Sequence, residues 1–302
     1  PENEQWSYTL GAVYKHYREN SYQTVVLSRS HLNNLAYKYF ENDDSSEENK
    51  IIDYSSEEIE NKLRVENTSR IDGFKLNFGG NLDYVTYKNS TQQTRFYNDE
   101  ILNIDYTTDL NLVRWALFAQ ASKNVLNERL ALSLGLRADA NNYASSMSNL
   151  LEQFSPRFSA SYSLTPRWSL NFNSGRYYQL PPYTTLGFKQ NGIFVNKENE
   201  LKYISVDHII GGLEFRPEKS VLLSLEGFWK GYDDYPFSVK DRISLANKGA
   251  DFGVVGDEEV VSNSEGRAYG AELQARINTT DGFNFNLSYT LVRSEFKDGT
   301  GK

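Results

Sequence analysis

The stretch ERLALSLGLRAD (Glu128–Asp139), followed after a polar loop by FSPRFSASYSL (Phe154–Leu164), decides the fold. In the first segment leucine occupies every second position, and the residues between are small, hydroxylic or charged. The second segment alternates in the same way. A period of two indicates extended strands, because successive side chains point to opposite faces. One face of this predicted strand pair is apolar and the other is polar.

The bulk composition favours such alternating strands throughout the chain of 302 residues. The mean hydropathy is -0.62, although Tyr 21, Phe 17 and Trp 4 make the chain 14% aromatic. The chain contains no cysteine, so it cannot form disulfides. Its net charge of -8 excludes the basic footprint expected of a nucleic-acid-binding protein. No run of about 18 apolar residues is present, so the sequence predicts no transmembrane helix. Pro1 opens directly on acidic, polar residues, so the sequence predicts no signal peptide.

The rest of the chain repeats the same pattern in about six hairpins, which predicts about twelve strands. Short turns alternate strictly with long polar loops. The short turns are predicted at Arg18–Ser21, Ser69–Gly73, Ser122–Asn127, Thr165–Arg167, Arg216–Ser220 and Asn278–Gly282. The long loops are predicted at Leu35–Ile59, Lys88–Asp105, Asn141–Leu151, Gln179–Tyr203 and Tyr235–Glu265.

This loop asymmetry is typical of an outer-membrane β-barrel, which has short periplasmic turns and long extracellular loops. A compact soluble domain rarely carries several long structureless loops. Aromatic residues at the strand ends beside the short turns fit an interfacial belt. These residues are Trp168, Phe283, Phe215 and Phe74. The predicted fold is therefore all-β, an antiparallel up-and-down transmembrane barrel whose apolar face meets lipid.

Three segments resemble TonB-dependent outer-membrane receptors, in the order that this family has them. WALFAQASKNVLNERLALSLGLRAD (Trp115–Asp139) is similar to a paired "YAQ" strand and "RL-L-LGLR-D" strand. FSPRFSASYSLTPRWSLNFNSGRYYQLPPYTTL (Phe154–Leu186) resembles the next hairpin and its loop. EGRAYGAELQARI (Glu265–Ile277), with FNFNLSYTLVRS (Phe283–Ser294), resembles two late strands. The sequences of these motifs are most similar to those of receptors of Bacteroidetes-type bacteria.

The resemblance implies a barrel of about 22 strands, with a plug domain in the lumen and a TonB box that contacts an inner-membrane energy complex. Nothing in the sequence resembles the plug or the box, and the family's terminal strand is missing after Gly299–Lys302. We therefore expect residues 1–302 to be one partial barrel segment, roughly the C-terminal half of a larger receptor.

Strand parity predicts a set of charged and amide side chains on the lumen side. They would grip a plug or contact a moving substrate through charged hydrogen bonds, although for any single residue a generic solvated lining is the preferred interpretation. The predicted lumen-facing residues are Arg114, Arg137, Arg157, Glu214, Arg216, Glu226, Glu272, Gln274 and Arg276. A β-bulge would reverse the parity of its strand.

The loop QLPPYTTLG (Gln179–Gly187) is the most distinctive extracellular feature. Its prolines stiffen it, and Tyr177, Tyr178, Gln179 and Tyr183 are candidate substrate contacts. The alternative is a conformational lock at the barrel mouth. Arg176 has lipid-facing parity near the outer rim, where lipopolysaccharide phosphates are a candidate partner.

The remaining candidates for chemistry are weak. The acidic segment Glu41–Glu60 is interpreted as a solvated loop, because its spacing fits no calcium-binding pattern. His16, His31 and His208 are scattered, so we predict no metal site and no cofactor. No nucleophile elbow or paired catalytic acid stands out, so we predict no enzyme.

The predicted function is energy-coupled uptake of a scarce nutrient across the outer membrane of a Gram-negative bacterium. The substrate could be a siderophore, a cobalamin-like cofactor, an oligosaccharide or a peptide. Expected partners are outer-membrane lipid, the plug domain, the TonB complex and a surface lipoprotein. Two alternatives remain open: a soluble or surface carbohydrate-binding, adhesin-like β-protein, and a self-contained passive porin of twelve strands.

Overall fold

The computed structural model describes residues 2–97, 100–248, 256–278, 282 and 284–297. Twelve antiparallel strands form one sheet in strictly sequential order. Each strand pairs with the strand before it and the strand after it in the chain. The strands are β1 (Glu2–Tyr17), β2 (Ser21–Tyr39), β3 (Lys50–Ile71), β4 (Phe74–Tyr97), β5 (Glu100–Val125), β6 (Leu130–Asn141), β7 (Phe154–Ser163), β8 (Trp168–Gln179), β9 (Ile204–Phe215), β10 (Val221–Ser238), β11 (Val260–Asn278) and β12 (Asn284–Phe296).

The predicted strand number and the alternation of short and long connections are confirmed. At the end of the sheet that carries the short turns, β3 and β4 are joined by only Asp72 and Gly73. Both residues have positive φ, 49° and 78°, as a two-residue hairpin turn of type I′ requires. The predicted turn Ser122–Asn127 starts too early, because β5 continues to Val125. Part of the predicted turn Asn278–Gly282 lies outside the described residues.

The predicted loops Leu35–Ile59, Lys88–Asp105 and Tyr235–Glu265 are longer than the observed connections, because the flanking strands continue beyond the lipid-facing apolar part of the sheet. The β2–β3 connection shrinks to residues 40–49. The predicted loop Lys88–Asp105 is almost entirely strand, since β4 runs to Tyr97 and β5 starts at Glu100. The inward positions of this outer hairpin include Asn89, Thr91 and Thr108, which are polar yet buried. Along this outer hairpin, buried and exposed positions therefore still alternate, but apolar and polar residues do not.

Rows of leucine cover the outer face of the sheet. One row crosses β2 to β4 through the paired residues Leu27, Leu63 and Leu82. A second row crosses β8 to β11 through Leu170, Leu213, Leu225 and Leu273. Leu134 and Leu136 of the opening stretch are 53% and 41% exposed. No second protein layer covers this face in the described part of the chain, so the interpretation as a soluble β-protein is wrong.

Aromatic side chains lie near the short turns, as predicted. Trp168 and Phe215 are paired across β8 and β9, and their rings stack at 4.2 Å. The ammonium group of Lys123 lies 4.1 Å from the ring centre of Phe74. Phe283 lies outside the described residues. An aromatic ring with a cationic neighbour suits the boundary between hydrocarbon and headgroups.

The sheet has two free edges within the described residues. There, β1 hydrogen-bonds only to β2, and β12 only to β11. A closed barrel of twelve strands requires β1 to pair with β12, and these two strands do not pair in the described residues. None of the helices in the ranges that the structure describes is long and apolar enough to cross a membrane.

Candidate functional site at the mouth of the barrel

A buried apolar cluster, which we call the mouth cluster, lies at the loop end of the sheet, on its inner face. Four of its side chains come from the extracellular extensions of β4 and β5, one is the first residue of β11, and the others come from three extracellular connections. Its members are Val85, Tyr87, Leu110, Leu112, Tyr143, Ala144, Met147, Leu186, Leu201, Tyr203, Leu245 and Val260. The loops therefore form a small hydrophobic core of their own, above the membrane-spanning part of the wall.

The β8–β9 loop supplies the centre of this cluster. It contains two short helices, α1 (Tyr183–Gly187) and α2 (Val195–Glu198). The hydroxyl of Tyr143 donates a hydrogen bond to the carbonyl oxygen of Leu186 at 2.9 Å. Gly187 lies so close to Tyr87 and Thr108 that a Cβ atom there would approach their side chains to within 3.0–3.2 Å. The loop is thus packed tightly against β4 and β5.

A polar contact ties the same loop to the inner face of β3, β4 and β5. The hydroxyl of Tyr183 lies 2.5 Å from Oε1 of Glu60 and accepts a hydrogen bond from Nη1 of Arg114 at 2.8 Å. Nη2 of Arg114 reaches Oδ2 of Asp83 at 3.0 Å and Oε1 of Glu60 at 3.2 Å. Burial raises the pKa of Tyr183, while the charge of Arg114 acts in the opposite direction. We call these four residues the latch.

Beside the latch lies a cavity of about 220 Å³. Its wall includes Asn81, Asp83, Arg114, Arg137 and Asp139 from the inner face of β4, β5 and β6. The β8–β9 region covers it with Tyr178, Leu180 and Tyr203. Arg137 binds Asp139 through two hydrogen bonds of 2.8 and 2.6 Å. The structure therefore brings together two of the predicted lumen residues, Arg114 and Arg137, in one polar site.

The other predicted residues of this region lie close by. The guanidinium of Arg157 lies 4.3 Å from the ring centre of Tyr177, which packs at 4.6 Å against His208. Tyr178 is partly buried against the mouth cluster. Gln179 is exposed. Tyr183 is part of the latch, so its hydroxyl is already occupied, which is the arrangement expected of a conformational lock.

The remaining predicted lumen residues line the wall further from the mouth. Cross-strand pairing places Glu226 opposite Glu272 on β10 and β11. Gln274 is opposite Ser224 and Ser288, and Arg276 is opposite Leu222 and Asn286. Glu214 accepts a hydrogen bond from Nε of Arg216 at 2.5 Å, next to a short turn. The structure does not bring this second group together with the latch.

On the outer face, Arg176 binds Asp207 through two hydrogen bonds of 2.8 and 2.6 Å. A phosphate would therefore compete with a carboxylate that already holds the guanidinium. In the part of the chain that the structure describes, no three acidic or histidine side chains form a group that could hold a metal ion.

Sequence reasoning missed most partners of the predicted residues. The sequence pattern places Glu60 in a solvated acidic loop, but the residue lies in β3 and contacts Arg114. Its neighbour Arg64 hydrogen-bonds Glu66, so this segment is a regular strand with polar side chains. Asp83 and Asp139 have the lumen parity of their strands, and that parity was the available signal. Nothing in the sequence indicated the contact between Tyr143 and Leu186, because this contact depends on how two loops fold over the mouth.

Comparison with known proteins identifies the class. The family model described as "TonB dependent receptor-like, beta-barrel" matches residues 1–302. The chain therefore belongs to the TonB-dependent receptor-like β-barrel family. It is an outer-membrane protein of a Gram-negative bacterium, and its family is one of transport receptors. A search of curated proteins finds no match.

Several solved structures share the fold. The pyoverdine receptor FpvA from Pseudomonas aeruginosa PAO1 matches with a TM-score of 0.68 and 14% identity, covering 99% of this chain and 45% of that one. The FpvAI–pyocin S2 complex matches with a TM-score of 0.69 and 15% identity, covering 98% and 42%. The copper transporter OprC matches with a TM-score of 0.64 and 16% identity, covering 99% and 46%. The chain thus spans less than half the length of these structures.

Proposed function

We propose that this chain forms part of the wall and mouth of a receptor that imports a scarce nutrient across the outer membrane by an energy-coupled mechanism. The mouth cluster carries the proposal. The β8–β9 loop packs against β4 and β5 and is tied there by the latch, so this part of the entrance is filled by protein. A passive pore needs an open water path, whereas a receptor that binds first and transports later does not.

The rest of such a receptor would be supplied outside these twelve strands. Two observations support this part of the proposal: the free edges of β1 and β12, and the similar structures that are more than twice as long. Further strands would pair with both edges, and a plug domain would occupy the polar lumen and contact the TonB complex. Lipid would cover the leucine rows. No step of the proposal requires catalysis by this chain.

Substrate uptake in intact cells tests this function. A strain that lacks the protein is compared with its parent when iron, cobalamin, oligosaccharides or peptides are limiting in turn. We expect slower growth on one nutrient class, and the same defect when the inner-membrane energy complex is disrupted in the parent. Uptake that continues unchanged without the energy complex would refute the proposal and favour passive diffusion.

A second experiment tests whether the chain is one segment of a larger barrel. Residues 1–302 are refolded alone in detergent and compared with the complete protein by electrophoresis before and after heating. The free edges predict that the isolated segment shows no heat-modifiable, closed form. A compact species with a complete hydrogen-bond ladder would contradict this expectation.

A further inference from the structure

Three arginines on the outer face of the later strands bind carboxylates. Arg176 binds Asp207 through two hydrogen bonds of 2.8 and 2.6 Å. Arg267 and Arg293 both form ion pairs with Glu295. The positive charge of these three side chains is therefore compensated within the protein.

Arg29, on the outer face of β2, binds only neutral groups. Its Nε donates a hydrogen bond to the hydroxyl of Tyr8 at 3.3 Å, and its Nη1 donates one to Oδ1 of Asn61 at 2.9 Å. A guanidinium has five N–H donors, so three of them remain for another partner. The side chain is exposed, and it forms no ion pair in the part of the chain that the structure describes. Arg29 thus presents an uncompensated charge on the outer surface.

The neighbours of Arg29 would not repel an anion. Leu10 on β1 and Asn61 on β3 are paired with it on either side. Both strands that flank β2 are described, so no further strand adjoins this position. Further along β3, the carboxylate of Glu57 lies 3.5 Å from the ammonium group of Lys88 and so has a cation of its own.

Arg29 lies at the loop-side end of the membrane-spanning part of the wall. It is the ninth residue of β2, counted from the end with the short turns, as Arg176 is of β8. A strand needs about 9–11 residues to cross the bilayer. Tyr8 contacts Arg29, and Tyr84 is opposite Asn61 in the same row of the sheet. Tyrosines at this level indicate the boundary between hydrocarbon and headgroups.

An apolar groove adjoins Arg29 on the outer face. It has a volume of about 550 Å³. Its apolar lining consists of Leu10, Leu27, Leu63 and Leu82. A guanidinium at the headgroup level beside a groove of leucines matches an amphiphile that has an anionic headgroup and acyl chains.

We propose that Arg29 and this groove bind a phosphorylated lipid of the outer leaflet. The phosphate oxygens accept charge-assisted hydrogen bonds from the free N–H donors of Arg29, a geometry in which arginine binds phosphate through two parallel bonds. An acyl chain lies along the leucines. The site that the sequence predicted at Arg176 is thereby assigned to Arg29. It lies on the opposite face of the wall from the latch, so it is independent of the imported nutrient.

Native mass spectrometry of the complete detergent-purified protein tests this site. The probes are bisphosphorylated lipid A and its dephosphorylated form with the same acyl chains, each added at the same concentration. We expect the phosphorylated lipid to be retained at about tenfold higher occupancy, because only this lipid can bind the guanidinium. Equal occupancy of the two lipids would overturn the proposal. Displacement of the lipid by an equal concentration of inorganic phosphate would overturn it as well, because the groove would then contribute nothing.

Substitutions locate the bound phosphate. Arg29→Gln removes the charge and should lower the occupancy of the phosphorylated lipid about tenfold. Arg176→Gln is the matched control, because Arg176 occupies the same position in β8 and is already compensated by Asp207. It should leave the occupancy unchanged. An equal effect of the two substitutions would refute the assignment.

A second variant tests the site while Arg29 stays in place. Asn61→Asp puts a carboxylate where Arg29 already donates a hydrogen bond, which reproduces the pairing seen between Arg176 and Asp207. We expect this variant to fold and to lose lipid occupancy as Arg29→Gln does. If Arg29→Gln yields no folded protein, Asn61→Asp decides the question alone. Full lipid occupancy in the folded Asn61→Asp variant would refute the proposal.

Discussion

The hydroxyl oxygen of Tyr183 lies 2.5 Å from the Oε1 atom of Glu60, which is 123 residues earlier in the chain. The two residues belong to the β8–β9 loop and to β3, so the contact joins a loop to a distant part of the wall. Arg114 contacts both groups, at 2.8 and 3.2 Å. The position of the loop therefore depends on one polar contact in addition to its apolar packing.

Removal of the Tyr183 hydroxyl should loosen the loop. Tyr183→Phe keeps the ring beside Tyr87 but leaves the partly buried Glu60 and Arg114 with one partner fewer, at a cost of about 1–3 kcal/mol. We expect faster amide hydrogen exchange in residues 183–203 and little change in the membrane-spanning strands. Tyr289→Phe, on the exposed outer face of β12, is the control. Equal exchange in both variants would show that the latch does not hold the loop.

Arg114 should be more sensitive than an exposed arginine. Arg114→Met leaves Asp83 without its cation and Glu60 with Lys62 as its remaining one. Because these side chains are partly exposed, the cost should be at most about 3–5 kcal/mol, the cost of breaking a buried pair. Arg267→Met, which removes an exposed pair with Glu295, should cost about 0–1 kcal/mol. The free energy of unfolding in urea or guanidinium, measured in detergent for the complete protein, compares the two. Similar values would indicate that solvent screens the latch.

The orientation of the wall can be tested by adding charge to each face. Leu134→Arg places a charge among the exposed leucines and should cost about 2–4 kcal/mol if it lies near the middle of the bilayer. Ser159→Arg lies at the same height on the inner face, opposite Ser133, and should be nearly neutral. The yield of folded, heat-modifiable protein in outer membranes measures both variants. A larger defect for Ser159→Arg would reverse the assignment of the two faces.

Alkaline pH should open the mouth cluster. Burial raises the pKa of Tyr143, so its stabilising contribution is fully present below the unfolded value of about 10. It is lost as the pH rises from there towards the folded value. Tyr143→Phe lacks the bond to Leu186 and should be less stable at neutral pH, but its stability should fall less steeply above about pH 10.

Protease sensitivity of the loops, followed from neutral to alkaline pH, measures this effect. Tyr289→Phe should retain the slope of the unmodified protein, because that side chain lies outside the cluster. Identical slopes for Tyr143→Phe and the unmodified protein would show that other groups control the alkaline transition.

The membrane-spanning part of the fold could be predicted from the sequence because lipid enforces a period of two. Leu130, Leu132, Leu134 and Leu136 have to share a face whatever their neighbours are. Above the membrane this constraint ends, and buried polar residues such as Asn89 and Thr91 conceal the strands. The pairing of Asp83 with Arg114 also depends on where the hairpin turns. The register in which Tyr97 is opposite Glu100 sets that pairing, but the polar composition of this part of the chain did not reveal it.

The contact between Tyr183 and Glu60 could not be predicted by any local rule. It requires the curvature of several strands and the folding of a loop over the mouth. Parity did place Arg114 and Arg137 on the inner face, so half of the polar site was accessible to sequence reasoning. Its carboxylate partners and its cover were not.

Gly187 has a consequence for the order in which the protein loosens. Its close fit against Tyr87 and Thr108 joins the β8–β9 loop to the outer ends of β4 and β5, where lipid gives no support. Loss of the loop packing would leave the outer part of β5 paired with β4 alone, because β6 pairs with β5 only from Arg114 onward, while β3 still pairs with β4 as far as Gln93. The mouth cluster and its loops are therefore expected to open and close as one cooperative unit. The membrane-spanning strands below them stay paired.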